Sequence, residues 1–204
     1  DADVVWGGRD QSKMTPAQKQ WMDAMGARGW TVPDWPKEYG GGGLSPAETK
    51  VLREEMARLK CRNPLNSFGI SMLGPALLKY GTEAQKIEHL TKIARGEIRW
   101  CQGYSEPGAG SDLASLQTSA EDKGDHYLLN GTKNWITNGG TASVYLVMAQ
   151  TDPSKKSRGI NTLIVEKNWP GVTVAPKENK LGIRGSDTHS IMFNDVIVPK
   201  ENQI

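Results

Sequence analysis

His126-Tyr127-Leu128-Leu129-Asn130-Gly131-Thr132-Lys133-Asn134-Trp135-Ile136-Thr137 decides the fold of the second half of the chain. Two runs rich in aromatic and β-branched residues flank Asn130-Gly131, a dipeptide suited to a two-residue hairpin because both turn positions take positive φ. Similar short runs follow at 144–149, 161–165, 172–174 and 190–193, bounded by turn residues, and an apparent strand covers 98–101. Short strands at such spacing predict an antiparallel sandwich or barrel.

Upstream of about residue 97 the period lengthens. Thr15-Pro16-Ala17-Gln18, Ser45-Pro46-Ala47-Glu48 and Thr82-Glu83-Ala84-Gln85 each place a hydroxyl three residues before Gln or Glu, the pattern of a reciprocal helix cap. Apolar residues follow each box at helical spacing: Trp21, Met22 and Met25, then Val51, Leu52, Met56 and Leu59, then Ile87, Leu90 and Ile93. A further helix is expected over 64–80, with Leu65, Phe68, Met72, Leu73, Leu77 and Leu78 inward. Gly26 or Gly29, Gly81 and Gly96 mark helix ends. The reading is α+β and multidomain: an all-α domain over 1–97 and a β-barrel domain over 98–204.

Composition excludes several classes. Lys+Arg 25 against Asp+Glu 23 leaves +2, too nearly neutral to make nucleic acid the default partner. A mean hydropathy of −0.55 and the absence of a run near the roughly 20 apolar residues of a membrane helix argue against a span. Asp1-Ala2-Asp3-Val4-Val5-Trp6 lacks a targeting pattern and an initiator Met, so a trimmed or mid-protein start is expected. Two distant cysteines, Cys61 and Cys101, cannot build a disulfide framework, which points to a reducing, cytoplasmic setting. None of His89, His126 and His189 has a second ligand at metal spacing, so no metal is expected.

Chemistry concentrates in Gln102-Gly-Tyr-Ser-Glu-Pro-Gly-Ala-Gly-Ser-Asp112. Gly108 and Gly110 remove side chains from a tight loop, so backbone N–H groups can approach an anion, while Ser105 and Ser111 add hydroxyl donors. The spacing is neither a Walker loop nor the dinucleotide Gly-x-Gly-x-x-Gly fingerprint. By itself the loop reads as a turn or as a phosphate cradle. Trp135-Ile136-Thr137 offers a flat indole and a nearby hydroxyl, although an indole in a strand commonly serves the core.

Taken together on expected adjacent strands, Gly103-Tyr-Ser-Glu-Pro-Gly-Ala-Gly-Ser-Asp112 and Gly131-Thr-Lys-Asn-Trp-Ile-Thr-Asn138 resemble the middle-domain signature of the acyl-CoA dehydrogenases. The resemblance extends along the chain through Trp30-Thr-Val-Pro33, Pro36-Lys-Glu-Tyr-Gly-Gly41, Tyr80-Gly-Thr-Glu-Ala-Gln-Lys86, Leu181-Gly-Ile-Arg-Gly-Ser-Asp-Thr188 and Val198-Pro-Lys200. It implies an FAD site built from Gln102, Gly103, Tyr104, Ser105, Gly110, Ser111, Trp135, Ile136 and Thr137. By the same resemblance Ser105 bonds the flavin ring, and Ser111 reaches the FAD pyrophosphate and the acyl-CoA substrate. Trp135 lies against the ring and Thr137 bonds near the nitrogen that receives hydride. Both features suit a flavin, which needs an apolar wall and donors near that nitrogen.

Other residues carry plainer readings. Glu106 could be nominated as a general base, but the resemblance implies a structural role for it. Arg184 and Asp187 are expected to brace a turn as an ion pair, with ligand contact as the alternative. Lys155-Lys156-Ser157-Arg158 reads as a solvated hairpin tip that would also suit a CoA phosphate. Cys101, beside Trp100, reads as a buried strand residue.

The implied reaction removes the α-proton of an acyl thioester with a carboxylate while the β-hydride passes to flavin, giving a trans-2-enoyl-CoA. In the family that carboxylate belongs to a second helical domain, which would begin where residue 204 ends, so no catalytic residue is assigned here. The amino end is also expected to be short by about one helix. The chain is therefore expected to be a fragment of an enzyme that forms a dimer or tetramer and passes electrons to an electron-transfer flavoprotein, acting on short or medium acyl chains. The alternatives are a non-catalytic FAD- or acyl-CoA-binding subunit of a hetero-oligomer, an acyl-CoA oxidase or flavin monooxygenase of the same fold, and a plain interaction module without flavin.

Overall fold

The computed structural model describes residues 14–204; the stretch 1–6, read above for targeting signals, lies outside the described residues. The chain divides into two units that meet in sequence between Ile98 and Arg99.

The first unit is helical: α1 (Pro16–Ala27), α2 (Pro46–Arg58), α3 (Gly74–Tyr80) and α4 (Glu83–Ala94). Thr15, Ser45 and Thr82 cap α1, α2 and α4 through reciprocal bonds with Gln18, Glu48 and Gln85, as the sequence predicts. Each such cap typically contributes about 1 kcal/mol by satisfying N–H groups that the helix leaves unpaired. Beyond α1 and α4 the backbone turns through positive φ at Gly29 and Gly96. Met22, Met25, Leu73, Leu77, Leu90 and Ile93 form the buried centre of this unit.

Val51, Leu59, Met72 and Ile87, expected inward, are exposed instead. Helical periodicity marks an apolar arc, but only the part that meets a neighbour is covered; along α2 only Thr49 is buried. The helix expected over 64–80 begins later, as a π-helical turn over Gly69–Leu73 that runs into α3. Gly74 is required there, because a Cβ would sit 2.0 Å from Cη2 of Trp35.

The second unit is a curled seven-stranded sheet, a half-barrel. Its strands are β1 (Trp100–Gly103), β2 (Ser119–Asp122), β3 (His126–Thr137), β4 (Val144–Gln150), β5 (Ile160–Glu166), β6 (Val172–Val174) and β7 (Thr188–Pro199). The sheet is mixed, not wholly antiparallel. β1 runs parallel to β4, and β2 meets β4 in parallel at Ser119 and Gln150, whereas β2–β3, β3–β7, β4–β5 and β6–β7 are antiparallel. Leu129, Ile136, Tyr145, Leu163, Phe193 and Val196 lie at the centre of its core.

Asn130-Gly131 makes no hairpin. β3 runs straight through it, and the hairpin lies one strand earlier, where Gly124 (φ 97) turns β2 into β3. Opposite Asn130, β7 carries one residue too many, a bulge at Asn194 and Asp195. The Asn130 amide grips that bulge, donating to the Asp195 carboxylate and accepting from the Asp195 N–H. Gly131, at φ 148, passes so near Thr118 that a Cβ would lie 2.5 Å from its Oγ1. Glycine is thus needed here because the crossing leaves no room for a side chain. Gly131→Ala is expected to destabilise this unit by about 1–3 kcal/mol, read as a lower urea midpoint; an unchanged midpoint contradicts the packing argument.

Candidate functional site

Lys133 sets the geometry. Counting in twos from Tyr127 and Leu129 places it on the core side of β3, and it is fully buried. An ammonium there requires a partner. Its Nζ donates to the Glu106 carboxylate at 2.8 Å and to the Tyr104 carbonyl at 3.0 Å, and its stem runs beside Gly103. Glu106, also buried, accepts further from the N–H groups of Gln117 (2.6 Å) and Thr118 (2.9 Å). Burial pushes the Glu106 carboxyl up, but the bonds from Lys133, Thr118 and Gln117 together outweigh it and hold the group below the usual range. Burial moves the Lys133 ammonium down, partly offset by Glu106. Glu106 is therefore a fully engaged strut.

This strut fastens the glycine-rich segment. Glu106 and Ala109 exchange backbone bonds at 2.8 and 3.2 Å, closing a tight turn that leaves Gly108, Gly110, Ser111 and Asp112 on the surface. Ideal Cβ atoms on Gly108 and Gly110 meet nothing within 4 Å, and neither residue has positive φ. This unit's own packing thus gives no reason for glycine at either position. Among the described residues, the N–H groups of Gly110 and Ser111 and the hydroxyls of Ser105, Ser111 and Thr137 have no partner within the chain.

β1 is not the ladder neighbour of β3, contrary to the adjacent strands expected; its partner is β4. The two motifs are joined instead by the segment after β1, where Asn134 N–H donates to the Ser105 carbonyl at 2.8 Å. Beside that bond β3 bulges: Asn134 and Trp135 together face the single residue Ser190 of β7. Trp135 adopts φ 61, a conformation bulky residues rarely take, and the residue is 59% exposed. The bulge turns a ring that would otherwise join the core out to the surface next to Ser105.

The remaining expected site residues separate by position. Gln102, Tyr104, Ser105 and Thr137 are half-buried near the surface. Gly103 is buried in β1, where a Cβ would crowd Val147 at 3.2 Å. Ile136 lies inside the core, so only its backbone is available to a ligand. Lys133 and Asn134 were missed by sequence reasoning; the signal for Lys133 is a cation in the inward phase of an apolar alternation.

The expected Arg184–Asp187 ion pair does not form. Arg184 bonds the Lys180 carbonyl, while Asp187 pairs with His189 and accepts the Thr141 N–H. Lys155–Arg158 forms an exposed 3-10 connection between β4 and β5, bordering a cleft of about 420 Å³ that Thr151 and Asn161 also line. Cys101 is buried, and burial pushes its thiol far up, which leaves it unreactive.

In this chain a helical unit is followed by a half-barrel that displays a glycine-rich loop and an outward indole. The family descriptions "Acyl-CoA dehydrogenase, N-terminal domain" and "Acyl-CoA dehydrogenase, middle domain" match residues 6–97 and 101–196, and the chain belongs to the acyl-CoA dehydrogenase family. It is 37% identical over 196 residues to the short-chain specific acyl-CoA dehydrogenase of Clostridium acetobutylicum, covering 96% of this chain and 51% of that one. It is 44% identical over 171 residues to mitochondrial isovaleryl-CoA dehydrogenase of Pongo abelii, covering 82% and 40% respectively. The crystal structure of acyl-CoA dehydrogenase from Geobacillus kaustophilus superposes with a TM-score of 0.74 at 36% identity, covering 91% of this chain and 50% of that one. The chain thus spans about half the length of the curated relatives it matches.

Lys133→Met strands a buried carboxylate and is expected to cost about 3–5 kcal/mol, measured by urea unfolding. Because the folded carboxyl of Glu106 titrates below its unfolded value of about 4.3, its contribution is complete above that pH and fades as pH falls through the folded value. Glu106→Gln should remove this acid-side component from the stability profile; a profile unchanged below about pH 4 contradicts the assignment.

Proposed function

We propose that this chain carries the cofactor-binding part of an FAD-dependent acyl-CoA dehydrogenase. The observation that carries the reading is the outward Trp135 at the β3 bulge, bonded through Asn134 to the segment that presents Ser105, Gly110 and Ser111. A flavin dinucleotide has a flat apolar ring system and an anionic pyrophosphate, and this surface offers a flat indole beside unpartnered N–H and hydroxyl donors. When bound, FAD supplies a two-electron acceptor for the hydride that leaves the β-carbon of the substrate.

The chain's own residues bind and orient. Trp135 would form the wall for the ring, and Thr137 and Ser105 would donate hydrogen bonds to it. The amides of Gly110 and Ser111 would receive the pyrophosphate, and Ser111 would also reach the acyl-CoA. Gln102, Gly103 and Tyr104 shape the approach from β1, and Ile136 contributes through its backbone. Glu106 takes no part in proton transfer, because its carboxylate is already engaged by Lys133, Gln117 and Thr118. We assign α-proton abstraction to a carboxylate outside residues 1–204, leaving a trans-2-enoyl thioester after loss of one proton and one hydride.

The substrate class favoured is a short acyl-CoA, on the likeness to a short-chain specific enzyme and to isovaleryl-CoA dehydrogenase. The cations at 155–158 are suited to a CoA phosphate. Reoxidation by an electron-transfer flavoprotein, a homo-oligomeric state and a reducing, cytoplasmic setting complete the proposal; free Cys61 and Cys101 suit the last of these.

Trp135→Ala in the full-length protein is expected to weaken FAD retention about tenfold, the scale of losing one good ring contact. Ser111→Ala should act in the same direction. Equilibrium dialysis followed by the visible flavin spectrum measures both, and unchanged occupancy in both variants would sink the assignment.

A further inference from the structure

We infer that Asp187 and His189 form a positioning unit for the flavin-facing end of β3, an inference that rests on the flavin reading above. His189 stands opposite Ile136, the first residue after the Trp135 bulge, and Thr188 stands opposite Thr137. The His189 ring is nearly enclosed and held at both nitrogens: Nδ1 lies 2.7 Å from the Ala175 carbonyl and Nε2 lies 2.5 Å from Asp187 Oδ1. Both neighbours are acceptors, so only the imidazolium can donate to both.

Asp187 carries the hold on to the turn that ends β3. Its carboxylate accepts from Thr141 N–H at 2.9 Å and its carbonyl accepts from Asn138 N–H at 2.8 Å. The imidazole also packs on that turn, where a Cβ on Gly140 would lie 2.6 Å from Nε2. The turn is closed by the Thr141 and Ala142 N–H groups on the Asn138 carbonyl, and Tyr145 and Lys167 donate to its Gly139 and Gly140 carbonyls. Asn138 sits at φ 67, and its Oδ1 is buried without a partner. Such strain persists where surrounding contacts impose it. Asp187 and His189 add the contacts from the β7 side, to Asn138, Gly140 and Thr141, three to six residues after Trp135, the first of them directly after Thr137.

The other titratable groups around the pair are accounted for. Lys167 donates to the Gly140 carbonyl, Lys180 to the Ser186 carbonyl and Thr188 hydroxyl, and Glu178 accepts from Ser190. Buried Cys101 and Tyr145 also feel the Asp187 charge.

The test uses the full-length, FAD-loaded protein, with the FAD dissociation constant, the flavin absorption maximum and the unfolding temperature measured for wild type and variants under one set of conditions. His189→Gln and Asp187→Asn should each weaken FAD binding by about fivefold, the equivalent of one ordinary hydrogen bond, and shift the flavin maximum. Variants that bind FAD with the wild-type constant and spectrum overturn the inference, as does a loss of affinity that merely follows the fall in unfolding temperature. A wild-type protein that holds no FAD overturns the flavin reading itself and is recognised before any variant is made.

Discussion

The buried ion pair between Lys133 and Glu106 is the constraint on which the second unit's surface depends. A charged amine in the inward phase of a strand cannot be left alone, and the partner it takes is Glu106, the buried carboxylate of the glycine-rich segment. Closing that pair brings the segment after β1 against β3, although β1 itself belongs to the β4 ladder. The Glu106 carboxylate then gathers the N–H groups of Gln117 and Thr118, which lead into β2. One side-chain pair thus joins segments that no backbone ladder connects. Buried ion pairs rarely add much net stability, since desolvation offsets attraction. What this one supplies is a fixed relation between loop and strand.

Two irregularities in the β3–β7 ladder complete the arrangement. At the first, Asn130 spans an extra residue of β7 and Gly131 slips past Thr118. At the second, the extra residue is in β3, and Trp135 is displaced outward at positive φ. An uninterrupted alternation would put residue 135 on the inner face with Lys133. The bulge restores Ile136 to the core while Trp135 meets solvent, so packing and display are satisfied by consecutive residues. Strain of this kind, concentrated at Trp135 and Asn138, marks the part of the sheet where geometry serves binding more than stability.

Much of this was legible in the residues. Helix starts were readable because a cap is a local device: Thr15, Ser45 and Thr82 need only a side chain three positions on. Most strand positions were readable from alternation and turn residues. β2 was not, since Ser119-Ala-Glu-Asp122 has one apolar residue and owes its existence to pairing with β3. Asn130-Gly131 misled because the same dipeptide also suits a strand opposite a bulge, where Asn130 bonds Asp195 of β7 and Gly131 passes close to Thr118, and only the partner strands decide between the two. The parallel β1–β4 pairing is likewise a tertiary matter. Within the site, the loop and the indole were visible as motifs, whereas the Asn134–Ser105 bond and the Asp187–His189 pair depend on segments brought together by the fold.

The central claim is that the loop at 108–112 and the strand end at 135–137 form one cofactor-holding surface. Amide hydrogen exchange of the full-length protein with and without FAD tests it most directly, because the N–H groups of Gly110 and Ser111 have no partner among the described residues. The account predicts that FAD slows exchange at these two amides together with those around Trp135 and Thr137. Protection confined to other segments, with both of these unchanged, would contradict it.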